Sequence, residues 1–556
     1  MHELRDSLEK EFAKLKVERN IWEDAWREVR QHVRTTRHRY PLNDRDVRTM
    51  NDRDPDTTLD LLDTTARKAS KVLRSGLHEG MTSPSRPWFK LGLDEPGLDD
   101  RDDIALWLHG AERVIREMFR GSNVYAALQQ GYGEVGDYGT HPMFVNRDFE
   151  DVIRCYSMEI GEYWLAADER GLPKTCYRRV SMTVDQVVRE FGLENVSQTL
   201  RNSYDQSNYH TVLNVVRAVR PRRDRDPGKA DIANMPVMVA AWEEASNKDD
   251  ILGVGGAQEG VLNVARWETA GYEPYGTVCP GLDALADTRQ LQYYALRKAE
   301  AIDQALRPAM MAPASLYASE KEFFPGGVTY VDDVTLQRGG LRPIFEARFD
   351  MKPMLEDTHE QRLRVDSDYH VDLFRMFTDL DRRLITAEEI IRRHEEKMIM
   401  LGPVLDLLGR ERLQPLISRA FNIAHEGGLI EDAPEDIQGH RLQVEYISTL
   451  AQALRAIGVG PIERTIGFIG TLAELDQSAL HRLDVDESID EFTNLIGAPP
   501  AMVRSRDAAN ELRQEEADAA AQAQMMQQVQ SGAQSAKLIS EASERGAGAI
   551  QRAGLG

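Results

Sequence analysis

The sequence predicts an α+β chain, mainly α. Three observations carry that reading. Apolar residues recur at helical spacing through most of the first 131 residues and again through most of the chain after residue 281. Between about 142 and 275 the chain turns to short β-branched and aromatic stretches broken by Gly and Asp, the pattern of strands. The tail from residue 503 is rich in Ala, Gln, Glu and Ser and has no aromatic residue.

Residues 2–34 place Leu4, Leu8, Phe12, Leu15, Trp22, Trp26, Val29 and Val33 on one helical stripe. The end of that helix is basic, with Arg27, Arg30, Arg34, Arg37 and Arg39, and reads either as a phosphate-facing patch or as a solvated face at a helix C-terminus. After a polar loop, a second helix is expected from Thr57 to His78, ended by Gly80, and the segment 82–87 with Pro84 and Pro87 forces an extended exit. Trp88 and Phe89 are expected core anchors, and a third helix covers 102–131. Strands follow within 142–182, then a helix over 181–200, then strands around 211–219, 235–244 and 260–269. The loop 221–234 carries Arg222, Arg223 and Arg225 just after Arg220, and reads as a partner contact or a solvated hairpin tip. Residues 281–307 form a long helix stopped by Pro308. A loop and β region with the pairs Gly326-Gly327 and Gly339-Gly340 precedes helices at 355–379, 386–401 and 403–426, the second opened by a capping box at Thr386–Glu389. Gly427-Gly428 stops the last of these, and helices at 438–457, 461–480 and 486–496 complete the pattern. The tail has high helix propensity but few apolar anchors, so it is either a helix that needs neighbours or disordered.

Composition excludes several classes. The 556 residues amount to roughly three or four domains' worth of chain. With 69 Lys+Arg against 92 Asp+Glu the net charge is −23, which argues against a protein that grips nucleic acid over a broad basic surface. Three scattered cysteines make neither a disulfide framework nor a Cys-based zinc cluster. The N-terminus is charged from residue 2, unlike a secretory signal, and no apolar run approaches the ~18 residues of a membrane span. The Gly-rich segment 253–260 lacks the Lys and Ser/Thr of a phosphate-cradling loop and reads as a flexible hairpin connection. His394-Glu395-Glu396 lacks a second His one turn on, the acidic run 484–491 lacks the glycine of a calcium loop, and no G-x-S-x-G elbow occurs. The sequence therefore nominates no catalytic residue, no metal and no cofactor.

Three collinear segments resemble one family. They are LLDTTARKASKVLRSGLHEGMTSPSRPWFKL at 61–91, SNVYAALQQGYGEVGDYGT at 122–140, and the stretch from Thr386 to Ala453 that includes LGPVLDLLGRERLQPLISRAFNIAHEGGLI. Together they resemble the portal, or head-to-tail connector, proteins of short-tailed, T7-like bacteriophages. That resemblance implies a portal-protein fold with wing, stem, clip and crown, closed into a ring of twelve copies at one capsid vertex of the virion. It implies a subunit made in the bacterial host cytoplasm that nucleates head assembly with the major capsid and scaffolding proteins. The ring would dock the terminase, conduct double-stranded DNA during packaging and ejection, and bind tail adaptor or nozzle proteins, without a membrane. On that mapping 1–180 is the N-terminal part of the wing, 181–204 the first stem helix, 205–275 the clip and 276–307 the second stem helix. Residues 308–430 are the C-terminal part of the wing with tunnel-facing elements, 431–502 the crown and 503–556 the tail.

A conduit must let DNA slide, so an acidic wall with a few cationic rings suits it better than a strongly basic lumen. Arg289, Arg297, Lys298 and Arg307 on the long helix, with Arg338 and Arg342 in the following Gly-rich loop, are the DNA-channel candidates, salt bridges between subunits being the competing role. Arg220, Arg222, Arg223 and Arg225 are the clip partner-contact candidates. Two rivals remain: another virion structural protein such as a scaffold or adaptor, and a packaging ATPase or nuclease, which the missing P-loop disfavours.

Overall fold

The structure is a computed structural model. It describes residues 2–35, 61–95, 101–222, 224–229, 231–246, 251–258, 260–313, 328–331, 342–343, 352–376, 399–440, 442–456, 459–473, 483–489, 509 and 512–514. In chain order the N-terminal elements are α1 (His2–His32), α2 (Thr65–Thr82), β1 (Phe89–Leu93), α3 (Asp102–Gly121) and α4 (Val124–Tyr138). Strands β2 (Thr140–Asp148), β3 (Val152–Ser157), β4 (Tyr163–Ala167) and β5 (Pro173–Thr183) follow, then α5 (Val184–Phe191) and α6 (Gln198–Asp205). After β6 (Val212–Pro221), β7 (Val237–Glu243), β8 (Gly253–Ala257) and β9 (Leu262–Arg266) come α7 (Pro280–Asp283) and α8 (Leu285–Leu306). Strands β10 (Met310–Pro313), β11 (Val328–Val331) and β12 (Arg342–Pro343) lead to α9 (Lys352–Asp368), α10 (Val371–Met376) and the helix α11 at 399–408. A π-helical turn (Gly409–Leu413) joins α11 to α12 (Gln414–Glu426), and β13 (Leu442–Tyr446), α13 (Thr449–Ala456) and α14 (Val459–Ala473) follow. The chain forms two compact units, residues 1–454 and 455–556. In the second, Arg513 pairs with Asp486 at 2.6 Å.

The first unit is organised by an antiparallel sheet in the order β4-β5-β6-β7-β8. Its two faces are covered differently. On one, Leu8, Phe12 and Leu15 of α1 pack on Trp164, Tyr177, Val216, Met238 and Trp242, with Phe12 edge-on to Trp164 at 4.9 Å. On the other, α5 and α6 bring Val184, Val187 and Leu200 onto Met182, Val215 and Ala241. The apolar stripe expected on α1 is the buried one, and Arg5, Arg19 and Arg30 between its positions are buried too: the Arg5 guanidinium donates to the Glu243 carbonyl at 3.1 Å and to the Ser246 hydroxyl at 2.9 Å. A second sheet, β3-β2-β9, joins residues more than a hundred positions apart. Asn263 on β9 donates to the Arg412 carbonyl at 2.8 Å, and Arg266 pairs with Glu411 in a buried ion pair, so this sheet holds the π turn.

Several elements depart from the sequence expectation, each for a local reason. The helix expected over 102–131 is two, because Asn123 at the break exchanges hydrogen bonds with the Cys155 backbone at 2.7 and 2.8 Å. The second helix begins later, at Thr65, and runs through Gly80 to Thr82. Gly76 and Gly80 lie inside it because Phe374 and Leu450 occupy the space that their side chains would fill. The first stem helix expected at 181–204 is two eight-residue helices. Thr183 and Gln186 form a capping box for α5, Gly192 turns the chain at φ +83°, and Ser197 caps α6. The Gly-rich 253–257 is a strand rather than a connection, and Gly256 has no room for a side chain beside the Ile232 carbonyl. The helix expected at 438–457 is interrupted: 442–446 is β13, paired antiparallel with β1 from Phe89↔Tyr446 to Leu93↔Leu442, and only 449–456 is helical. The 355–379 helix breaks at His370, whose φ is +52°, and 377–379 lie outside the described residues. The capping box at 386–389, both Gly pairs at 326–327 and 339–340, and most of the tail also lie outside them.

Candidate functional site: the α8–α9 projection

Helix α8 changes character along its length. Leu285, Thr288 and Leu291 in its first two turns are buried. From Gln292 to Arg307 every residue is half-buried or exposed. Helix α9 packs beside it and buries only Gln361 and Val365, while Leu355 and Leu363 lie exposed. Between the two helices the chain passes through a small mixed sheet, β10 paired parallel with β11 and antiparallel with β12.

The base of this pair is clamped to the start of α2. The Gln292 side-chain carbonyl accepts from the amides of Leu62 and Asp63 at 2.9 and 3.1 Å, and its amide donates to the Asp63 carbonyl at 2.6 Å. Arg362 of α9 donates twice to the Asp63 carboxylate, at 2.7 and 3.1 Å. Burial raises the cost of that carboxylate's charge, but the hydrogen bonds from Thr65 and Arg362 outweigh it, and its pKa lies below the ordinary value. On the other side of the base, Asp368 is pushed up to about 6 by burial and by the charges of Asp283 and Asp287.

The cations nominated on α8 divide. At 3.6 residues per turn, Arg289, Arg297 and Arg307 share an arc of about 100° with Tyr293, Leu296 and Glu300, and Lys298 points elsewhere. Arg289 pairs with Glu28 of α1 at 2.9 Å. Arg297 pairs with Glu300 at 2.7 Å and lies over the Tyr293 ring, 5.0 Å from its centre. Lys298 and Arg307 make no ion pair among the described residues. Arg342 lies on β12 opposite Met311, and Arg338 lies outside the described residues.

The loop cations are not a patch. Arg220 reaches the Glu11 carboxylate on α1 at 2.9 Å, where the Tyr177 hydroxyl also donates, at 2.6 Å. Arg222 donates to the Gly255 carbonyl at 3.0 Å, tying β6 to β8. Arg225 is exposed at the β6–β7 turn, and Arg223 lies outside the described residues. Residues that sequence reasoning passed over carry more of the site. Tyr293 and Leu296 were visible at helical spacing, but the Asp63–Gln292–Arg362 clamp spans some 300 positions and has no local signal.

The rest of the described chain supplies little chemistry. His141 lies 2.6 Å from Ser157 Oγ, but it is buried, held neutral by burial and by Arg412, and its Nδ1 faces the Arg412 guanidinium at 2.7 Å. The Cys155 and Cys176 thiols are pushed up to about 12 by burial. Among the described residues no group of three or more His, Cys, Asp or Glu is placed to hold a metal ion, and no helix is long and apolar enough to cross a membrane.

Comparison with known proteins accounts for a chain built this way. A family described as bacteriophage head to tail connecting protein matches residues 5–503. The portal protein of Salmonella phage epsilon15 is 37% identical over 537 residues, covering 97% of this chain and 95% of that protein. A probable portal protein of Bordetella phage BPP-1 is 34% identical over 525 residues, covering 94% and 93%.

Proposed function

The chain belongs to the bacteriophage head to tail connecting, or portal, protein family, and from that premise we propose that it works as a ring whose subunits complete one another along the α8–α9 projection. The family is a structural connector of the virion, at the junction of head and tail. The observation that carries the ring reading is the bare two-thirds of α8: a helix with Tyr293, Leu296, Ile302 and Leu306 exposed is marginal by itself and gains burial only from a neighbour. Closed cyclic symmetry satisfies every such face at once, and the resemblance suggests twelve copies.

Within that ring α8 and α9 make the stem, and residues 308–351 between them make the clip. The sequence mapping put the stem and clip at 181–204 and 205–275 instead, where β6, β7 and β8 share one sheet with β4 and β5 under α1 and β9 pairs with β2. The wing comprises the two sheets with α1–α6 and α11–β13, and the crown and tail fall in 455–556. The assembled ring nucleates the head with capsid and scaffolding proteins, docks the terminase, passes double-stranded DNA in and out, and receives tail adaptors. Arg297 and Arg307, on one face of the stem, are its DNA-channel residues, and the pairing of Arg297 with Glu300 keeps that contact weak enough for sliding. Electron microscopy of purified protein tests the reading. Rings with a central hole are expected, and monomers at every concentration would overturn it. Arg297→Gln with Arg307→Gln should leave rings intact and change DNA packaging or retention.

A further inference from the structure

We propose that the cavity between the end of α1 and the first half of α2 is a phosphate-binding site. The cavity has a volume of about 460 Å³ and is lined by Arg34, Arg67, Lys68, Lys71 and Arg74, against the single carboxylate of Asp137. Five cations to one anion is the reverse of a chain whose net charge is −23. The carboxylate is already engaged: it accepts from the Ser70 hydroxyl at 2.9 Å, from Arg34 at 3.2 Å and from the Tyr369 hydroxyl at 3.3 Å. Arg34 is also held by Glu134 at 3.0 Å, so its charge is met from behind. Arg67, Lys68 and Lys71 make no ion pair among the described residues, and Arg74 feels Asp137 and Glu134 only through space, without a hydrogen bond to either. Their spacing is the cause of their convergence. Positions 67, 71 and 74 fall on one helix face, and 68 adjoins it.

One further feature points the same way. The Arg74 Nε atom is buried with no hydrogen-bond partner, and burial and Arg34 lower the pKa of Arg74 despite the opposing pull of Asp137 and Glu134, so an anion here would relieve both. Arginine forks and lysine ammonium groups around a small concave site match the geometry of phosphate oxygens better than that of a flat apolar partner. The phosphates come either from a nucleic-acid backbone lying across the exposed Arg67, Lys68 and Lys71 or from a free phosphate compound. This site does not depend on the ring reading above.

Calorimetric titration of the full chain with pyrophosphate, and fluorescence anisotropy with a labelled DNA duplex at several salt concentrations, test it. Wild-type protein should bind at least one of the two. Arg67→Gln with Lys71→Gln, both exposed, should keep the unfolding temperature and weaken that binding about tenfold or more. For the duplex it should also lower the log–log salt slope by about 2, two phosphate contacts being lost. Arg189→Gln, an exposed cation on α5, should bind as wild type. Response to pyrophosphate alone identifies a free phosphate, and response to the duplex identifies a backbone. Unchanged binding in the double variant, no binding of either probe by wild type, or binding of polyglutamate alone would overturn the assignment.

Discussion

The α1-covered sheet and the α8–α9 pair are each built on a long helix, α1 of 31 residues and α8 of 22, yet the two helices bury their faces in different ways. Helix α1 lies on a preformed surface. Leu4, Leu8, Phe12 and Leu15, three or four residues apart, pack on Trp164, Tyr177, Val216 or Trp242, and Arg5 and Arg19 beside them are buried and hydrogen-bonded. Helix α8 meets the body for two turns and then leaves it, carrying tyrosine, leucine and isoleucine into the open. The first arrangement closes a core within one chain. The second leaves a face open within the chain, the face that the proposed ring would close. A family whose members act as connectors needs both: a subunit rigid enough to fold before assembly, and a surface unsatisfied enough to drive it.

The largest effect is expected inside the closed region. Trp88 is about 1% exposed, packs edge-on to Phe89 with ring centres 4.7 Å apart, stacks over Phe119 and donates to the Tyr125 hydroxyl at 3.3 Å. Trp88→Ala should cost about 3–5 kcal/mol. Thermal or urea unfolding of the purified variant measures it, and unchanged stability would mean that the wing core is less closed than its packing implies. A smaller loss is expected at Gly80. Leu450 fills the space of its missing side chain, so Gly80→Val should cost about 1–3 kcal/mol by overpacking. Gly110 of α3 has open space around it, and Gly110→Ala should be neutral or slightly stabilising on the same scale.

These two sites also show what was legible in the sequence. Trp88 as a core anchor, the stripe on α1 and the strands between 142 and 269 follow from periodicity and residue type, and the structure has them. Gly80 read as a helix stop because local propensity knows nothing of Leu450, some 370 positions away. For the same reason β13 read as helix: LQVEY became a strand only by pairing with β1. The family resemblance found the right protein class, while any assignment of stem and clip within it rests on which segments are covered, and burial is a property of the folded chain. Arg220 looked like a surface cation until Glu11 of α1 was folded against it.

A smaller and opposite effect is expected at the base of the projection. Asp368 is held at about 6, well above an ordinary carboxyl, by burial and the neighbouring Asp283 and Asp287. Between about pH 4 and 6 the folded chain therefore keeps a proton that the unfolded chain has released, so this group lowers stability as pH rises through that window. Above it the full penalty is present. Asp368→Asn should remove the penalty, stabilising the protein at pH 7.5 by roughly 1 kcal/mol once solvent screening of a half-buried group is allowed for. The gain should shrink below pH 6 and vanish near pH 4. Unfolding curves at several pH values check the sign, and a variant less stable than wild type at pH 7.5 would show that the charge is compensated within the base.

The smallest effect on the isolated subunit should be the most telling for the comparison. Tyr293 and Leu296 are about half exposed and hold no core together. Changing both, as Tyr293→Asp with Leu296→Asp, should alter the unfolding free energy of the monomer by no more than about 0.5 kcal/mol, the usual range for surface positions. In a ring the same two carboxylates would be repeated at every subunit contact, desolvated and facing like charges, so light scattering and microscopy should find the assembly lost or much weakened. Like substitutions on the open face of α1, Val17→Asp with Ile21→Asp, alter positions that are more exposed still and serve as the control. If the α1 variant loses its rings and the α8 variant keeps them, the surface that waits for a neighbour is α1, and the contrast between the two helices is reversed.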